Sequence, residues 1–211
     1  MGETTAEASS ADLMVDLIIS LDGYASAEGW PGWWGLEGPE YLAWLGQESG
    51  RDYTFLLGAN TYRLMSSMSE EASGESSGFS ENEGTSLSGL AAVPKVVFSS
   101  TLPAPLTWPN SKLVTGDAVE AVTEMKRTGT GHLSTLGSLS LCRSLLTAGL
   151  VDRFRLVVFP VITGRTGRER IYDGYPDVSL EMVDSRTFDG RLQLLEYVPT
   201  VLSGPPGSRG A

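Results

Sequence analysis

The segment from His132 to Pro160, HLSTLGSLSLCRSLLTAGLVDRFRLVVFP, constrains the fold more than any other part of the chain. Leu133 to Leu136 form a short apolar run that ends at Gly137-Ser138. Leu139, Cys142, Leu145 and Leu146 then recur at helical spacing, Gly149 supplies a left-handed stop, and a second apolar run leads to Phe159-Pro160. Strand, turn, helix and strand in this order are the layout of a crossover unit. The glycine turn meets a helix N-terminus, where unpaired N–H groups and the positive end of the helix dipole favour an anion such as a pyrophosphate. Gly-Ser-x-x-Leu lacks the three glycines of the usual dinucleotide fingerprint, so anion binding and plain turn geometry both stay open for it.

The rest of the chain repeats the alternation. Leu13 to Leu21 is dense in aliphatic residues and closes at Asp22-Gly23, as a buried first strand does. After a Trp- and Gly-rich loop, Pro39 opens a helix that turns Tyr41, Leu42 and Leu45 inward. Tyr53 to Leu57 reads as the next strand, Asn60 to Met65 as a short helix, Lys95 to Ser99 as a strand and Asp117 to Arg127 as a helix. Strands alternating with helices predict an α/β fold, a mostly parallel sheet with helices on both faces. Leu180 to Thr187 and Leu192 to Val198, joined through Asp189-Gly190, predict an antiparallel hairpin at the C-terminal edge. One domain is expected over residues 13–198, with a polar leader over 1–12, a flexible acidic loop over 66–90 and a disordered tail over 199–211.

Composition bounds the function. The net charge is −11, but Met1 to Asp12 carries three acidic residues and no basic one, and Ser66 to Leu90 carries five and none. The acidity therefore sits in the leader and loop, which argues against a nucleic-acid groove. No stretch approaches the roughly 20 apolar residues of a membrane span. The lone cysteine forbids an internal disulfide and lies on an apolar helix stripe, fitting a core residue in a reducing cytoplasm. One histidine, His132, gives little basis for a zinc site or a histidine-based triad.

Five separated motifs now converge: SLDGYA (Ser20 to Ala25), LGANTY (Leu57 to Tyr62), KVVFSSTL (Lys95 to Leu102), LGSLSL (Leu136 to Leu141) and AGLVDRFRLVVFPVITG (Ala148 to Gly164). In this order they resemble dihydrofolate-reductase-like proteins, and more closely the branch related to the reductase domain of bacterial riboflavin biosynthesis. The resemblance implies a three-layer dihydrofolate-reductase-like fold that lays NADPH across the carboxyl ends of the sheet. It assigns Gly137, Ser138 and Leu139 to the pyrophosphate, Gly58 and Thr61 to the phosphates from the opposite side, and Ser99 and Ser100 to the adenosine ribose and its 2′-phosphate. Two departures stand out. Relatives often carry Arg where this chain has Ala59, which leaves NADH open beside NADPH; Arg63, one turn on, is a substitute or a surface residue. The acid that pairs with a pterin is replaced by Tyr41, which argues against dihydrofolate as substrate.

Asp22, at the end of the first strand, is the polar candidate for catalysis, either orienting substrate or relaying a proton; its other reading is an ordinary Asp-Gly turn. Trp34, Tyr41 and Phe159 are expected to line the substrate pocket. Trp30, Trp33 and Trp34 either form a lid over a flat heterocycle or pin their loop to the core. Arg165 or Arg168 either meets an anionic substrate tail or is an ordinary exposed arginine of a glycine-rich loop. The expectation is an NAD(P)H-dependent reductase of a small conjugated heterocycle, imine or carbonyl, paired as a homodimer, with no nucleic-acid or membrane partner and no metal. The alternative is a non-redox ligand-binding or ring-forming descendant of the fold.

Overall fold

The computed structural model describes residues 11–29, 34–49, 51–72, 89–129 and 131–207. Trp30, Trp33 and most of the expected leader, acidic loop and extreme tail lie outside these residues. The chain forms β1 (Asp12–Ser20), β2 (Tyr24–Ala27), α1 (Pro39–Ser49), β3 (Tyr53–Gly58), α2 (Ala59–Ala72), β4 (Lys95–Phe98) and β5 (Ser111–Val114). It continues with α3 (Ala118–Thr128), β6 (His132–Thr135), α4 (Leu139–Thr147), β7 (Arg153–Phe159), β8 (Gly167–Arg170), β9 (Val178–Phe188) and β10 (Leu192–Val201).

Eight strands make one sheet in the order β5-β4-β3-β6-β1-β7-β10-β9. The pairs from β5 to β7 are parallel, while β10 runs antiparallel to β7 and β9 antiparallel to β10. This is the expected mixed α/β architecture. The hairpin turn forms as Asp-Gly dictates, with φ of 52° at Asp189 and 65° at Gly190, both left-handed.

Strand alternation divides the core. On β1, Leu13, Val15, Leu17 and Ile19 face Val122 of α3 and Leu141, Cys142, Leu145 and Leu146 of α4. Ile18 faces the opposite way, joining Val157 and Phe159 of β7 beneath Tyr41 and Trp44 of α1. Farther along that second face, Tyr62 and Met65 of α2 cover Leu57 and Val97. The central strands are thus buried on both sides, which explains their continuous apolar runs.

Three boundaries differ from the sequence expectation. Residues 66–72 continue α2 instead of opening the acidic loop, because Met65, Ser66 and Ser69 are buried at helical spacing, and residues 89–92 are helical. Asp12 belongs to β1 and Ala11 is buried, so the domain starts before residue 13. Residues 199–201 pair with β9 as part of β10 and are not a disordered tail. A separate two-stranded antiparallel sheet, β2 with β8, had no counterpart in the sequence reading. No helix among the described residues is long and apolar enough to cross a membrane.

Candidate active site

The carboxyl ends of β3 and β6 carry the two glycine motifs. At each, strand gives way quickly to helix: α2 begins directly after Gly58, and α4 follows β6 after Leu136, Gly137 and Ser138. Both turn residues of the second motif are left-handed, Gly137 at φ 59° and Ser138 at φ 62°. The motifs pack on each other. The Ser138 hydroxyl accepts from the Gly58 N–H at 2.7 Å and donates to Thr61 Oγ1 at 2.8 Å. Glycine suits position 137 because of its left-handed φ, while a Cβ there would stand in ordinary contact with Thr61 at 3.4 Å.

Because the Ser138 hydroxyl is committed across to Gly58 and Thr61, it gives no cap to its own helix. The first turn of α4 is then free of a side-chain cap where it lines a cleft of about 1550 Å³. Gly58, Ala59, Asn60, Thr61, Gly137, Ser138, Leu139 and Ser140 form one wall of this cleft. Of the residues predicted to hold phosphates, the structure brings Gly58, Thr61, Gly137, Ser138 and Leu139 together there. Ser99 and Ser100 follow β4 outside the lining. The Ser99 hydroxyl accepts from the N–H groups of Thr101 and Leu102, both at 3.1 Å, and so shapes its own turn.

The floor of the cleft holds a charged cluster that sequence reasoning missed. Asp16 on β1 and Arg155 on β7 are register partners. Arg155 donates from Nε to Asp16 Oδ1 at 3.0 Å and from its NH2 group to Oδ2 at 2.7 Å, a bidentate pair. Its NH1 group donates to Glu48 of α1 at 2.6 Å, and the guanidinium lies 5.0 Å from the Trp44 ring centroid. Burial works against the arginine charge, but Asp16 and Glu48 outweigh it and raise the pKa further above the ordinary value. Arg155 and Glu48 are buried, with side chains 6% and 8% exposed, whereas the Asp16 side chain keeps 28% of its surface open and lines the cleft. The signal was present in sequence: each of two apolar strands carries a single mid-strand charge, VDL in one and FRL in the other.

Tyr41 also lines the cleft but is only 2% exposed, stacked at 5.7 Å on Trp44 and set edge-on to Phe159 at 5.7 Å. Burial, and then the nearby Asp16 charge, push its phenol pKa well above the usual value, so it stays protonated. Phe159 does not line the cleft. It is fully buried, because alternation on β7 sends it under α1 into the aromatic cluster. Trp34 packs against the same cluster outside the lining, so it pins its loop to the core.

Asp22 lies outside the lining as well. Its carboxylate accepts from the Ser20 hydroxyl at 2.7 Å, the Gly164 N–H at 2.9 Å and the Thr163 N–H at 3.2 Å. The Ser20 bond above all, aided by the two backbone N–H groups against a desolvation cost, draws its pKa down to about 2. Asp22 thus clamps the end of β1 to the loop leading into β8. It holds the base of the β2–β8 flap, whose Tyr24, Ser26, Glu169 and Arg170 face the cleft.

Other singled-out residues fall away from the site. Arg63 is exposed and donates to Asn60 at 3.2 Å. Arg168 pairs with Glu28 at 3.2 Å. His132 is exposed at the amino end of β6. Cys142 is fully buried, and burial pushes its thiol up to about 11. No group of three or more metal-ligating side chains occurs among the described residues.

The RibD C-terminal domain family matches residues 11–194. Among curated proteins, the uncharacterized protein YyaP of Bacillus subtilis is 30% identical over 84 residues, 40% of this chain and 44% of that protein, so the match spans less than half of that relative's length. Among solved structures, a protein named for riboflavin biosynthesis from Shewanella sp. PV-4 superposes with a TM-score of 0.65 at 18% identity, covering 90% of this chain and 99% of the other. A pyrimidine reductase-like protein from Corynebacterium diphtheriae gives 0.58 at 15% identity, covering 90% and 92%. Dihydrofolate reductase from Enterococcus faecalis, complexed with NADP(H), gives 0.57 at 14% identity, covering 89% and 96%. At these identities the structural likenesses bear on the fold.

Proposed function

Because this chain belongs to the RibD C-terminal domain family, we propose that it is a nicotinamide-dependent reductase that delivers hydride to a small conjugated heterocycle, imine or carbonyl. The observation that carries this reading is the uncapped N-terminus of α4 at the Gly137-Ser138 turn, locked to Gly58 and Thr61 along one wall of a large cleft. Backbone N–H groups at such a terminus suit the diphosphate of a dinucleotide. NADPH is the proposed cofactor, with NADH the competitor to be measured against it. When bound, the cofactor supplies the hydride.

The chain's own residues hold, orient and exclude water. Leu139 and Ser140 offer first-turn N–H groups to the phosphates, and the Ser138 hydroxyl fixes the spacing of the two turns. Trp44, Phe55 and Leu136 give the interior apolar walls suited to a flat ring. Asp16, still able to accept from a ligand while Arg155 fixes its plane, orients a substrate that presents N–H donors. The Tyr41 phenol is a donor and not a base. Dihydrofolate is not the proposed substrate: position 41 carries no carboxylate, and the carboxylate assigned to the substrate, Asp16, lies on β1 instead.

The competing non-redox reading draws support from one observation, that the Gly58 N–H and the Thr61 hydroxyl are already engaged by Ser138. Titration of the protein with NADPH and NADH, followed by tryptophan fluorescence, separates the two. Micromolar binding is expected; no binding at millimolar cofactor would sink the reductase reading, and equal affinity for the two would remove any 2′-phosphate role for Ser99 and Ser100. A homodimer is proposed through β9, an edge strand with Leu180, Met182 and Val183 exposed.

A further inference from the structure

Among the described residues, the cleft wall holds a cation with an unanswered donor. Arg143, on the second turn of α4, lines the cleft beside Ser138, Leu139 and Ser140, and its Nε is buried without a hydrogen-bond partner. No carboxylate among the described residues pairs with it, although Asp173 and Glu169 share the lining. The guanidinium is seated on backbone. A Cβ built at Gly174 would stand 3.2 Å from one terminal nitrogen and 3.3 Å from both Nε and the central carbon, so the group lies face-on over that glycine. Its flat face is thus supported while Nε has no partner, and a buried unsatisfied donor in a charged group is costly unless a ligand meets the group.

Placement says which ligand. Helical side chains lean toward the N-terminus of their helix, so a residue at the second turn reaches back over the first. Arg143 therefore stands within reach of the uncapped terminus at Gly137-Ser138, in the lining it shares with Ser138, Leu139 and Ser140. A helix terminus offers about half a positive charge, too little to neutralise a diphosphate. The neighbouring turn of the same wall adds no cation: position 59 is alanine, and Arg63 is exposed and turned to Asn60. The other guanidiniums of the cleft are placed elsewhere, Arg155 between two carboxylates on the floor and Arg170 at 6.0 Å over the Tyr24 ring in the flap.

We propose that Arg143 is the charged contact for the cofactor's diphosphate at the Gly137-Ser138 turn. This rests on the reductase reading above and adds to it the residue that supplies the positive charge. A phosphate carried by the substrate would satisfy the same donor, so the test must separate these two sources.

The experiment compares wild type with Arg143→Met by tryptophan quenching, using NADPH, ADP-ribose and phenyl phosphate as probes. ADP-ribose carries the diphosphate without the nicotinamide, and phenyl phosphate carries a single phosphate on a flat ring. The expected result is a loss of about tenfold to a hundredfold for both NADPH and ADP-ribose, the size expected for one charge-assisted hydrogen bond. The gap should narrow as KCl is raised. Thermal melting checks that the variant is folded, and Arg143→Gln replaces it if it is not. Unchanged ADP-ribose affinity in a folded variant overturns the proposal. So does a selective loss of phenyl phosphate binding, which would assign Arg143 to a substrate phosphate. Failure of wild type to bind either dinucleotide or ADP-ribose defeats the reductase reading itself, and is distinguished from the first outcome by the protein in which it occurs.

Discussion

Asp22 shows how a residue in a functional-looking motif acquires a different task. Its carboxylate accepts four hydrogen bonds, one from Ser20 and three from Thr163 and Gly164 that tie the first strand to the flap loop. With its pKa lowered to about 2 in the folded state, the contribution to stability is complete above the unfolded value near 4 and is lost as pH falls toward 2. Melting temperatures measured from pH 6 to pH 2 should therefore drop more steeply in wild type than in Asp22→Asn, whose curve should start lower and run flatter through that window. The floor cluster gives a second expectation. Arg155→Leu leaves Asp16 and Glu48 without their shared cation, and removal of one partner of a buried ion network costs about 3–5 kcal/mol. Urea unfolding should report a loss of that order. The two charges were visible in the sequence, but nothing in it disclosed that they face each other, because register between strands far apart in the chain is a tertiary fact.

At the scale of elements, α1 is capped from the far end of the chain. Asp189, in the hairpin turn, accepts from the N–H groups of Glu40 at 3.0 Å and Tyr41 at 3.1 Å, and the Glu40 carboxylate accepts from the Asp189 N–H at 2.6 Å. This is a reciprocal capping arrangement assembled between two remote segments. Gly38 completes it, since any Cβ there would overlap the Asp189 carboxylate. Asp189→Ala should cost about 1 kcal/mol, within the usual range of about 0.5–2 for a lost cap, read as a lower urea midpoint with an unchanged slope. The elements most legible in sequence were those with a single unambiguous pattern: the β1 run, the crossover through α4, and the hairpin with its Asp-Gly turn. The short strands β2, β5 and β8 were not. YASA and GRER carry no apolar pattern because the flap they form buries neither face deeply, and they become strands only by pairing with each other. The end of α2 was hidden by its serines, which read as loop composition although Ser66 and Ser69 are buried.

Over the whole molecule, the sheet ends in a strand exposed along nearly its full length. β9 has ten residues that are exposed or half-buried, and Leu180, Met182 and Val183 are 43%, 54% and 47% exposed. Natural edge strands are usually covered, shortened or charged. If two copies pair there, sedimentation should give a dimer for wild type and a monomer for Met182→Lys, with NADPH binding retained by the monomer since β9 contributes no residue to the cleft lining. A monomeric wild type would remove the dimer proposal and leave the site assignment intact.

The cap on α1 also has a consequence for the order in which the protein is made. Glu40 and Asp189 are 149 residues apart, and synthesis runs from the first to the second. A ribosome releases the helix that walls the cleft long before it releases the turn that secures that helix, so the nascent chain carries an unfinished wall until its last hairpin emerges. Cofactor added to stalled chains should gain a firm hold only once the segment through residue 194, which brings Leu192 and Leu194 under Tyr41, has cleared the exit tunnel.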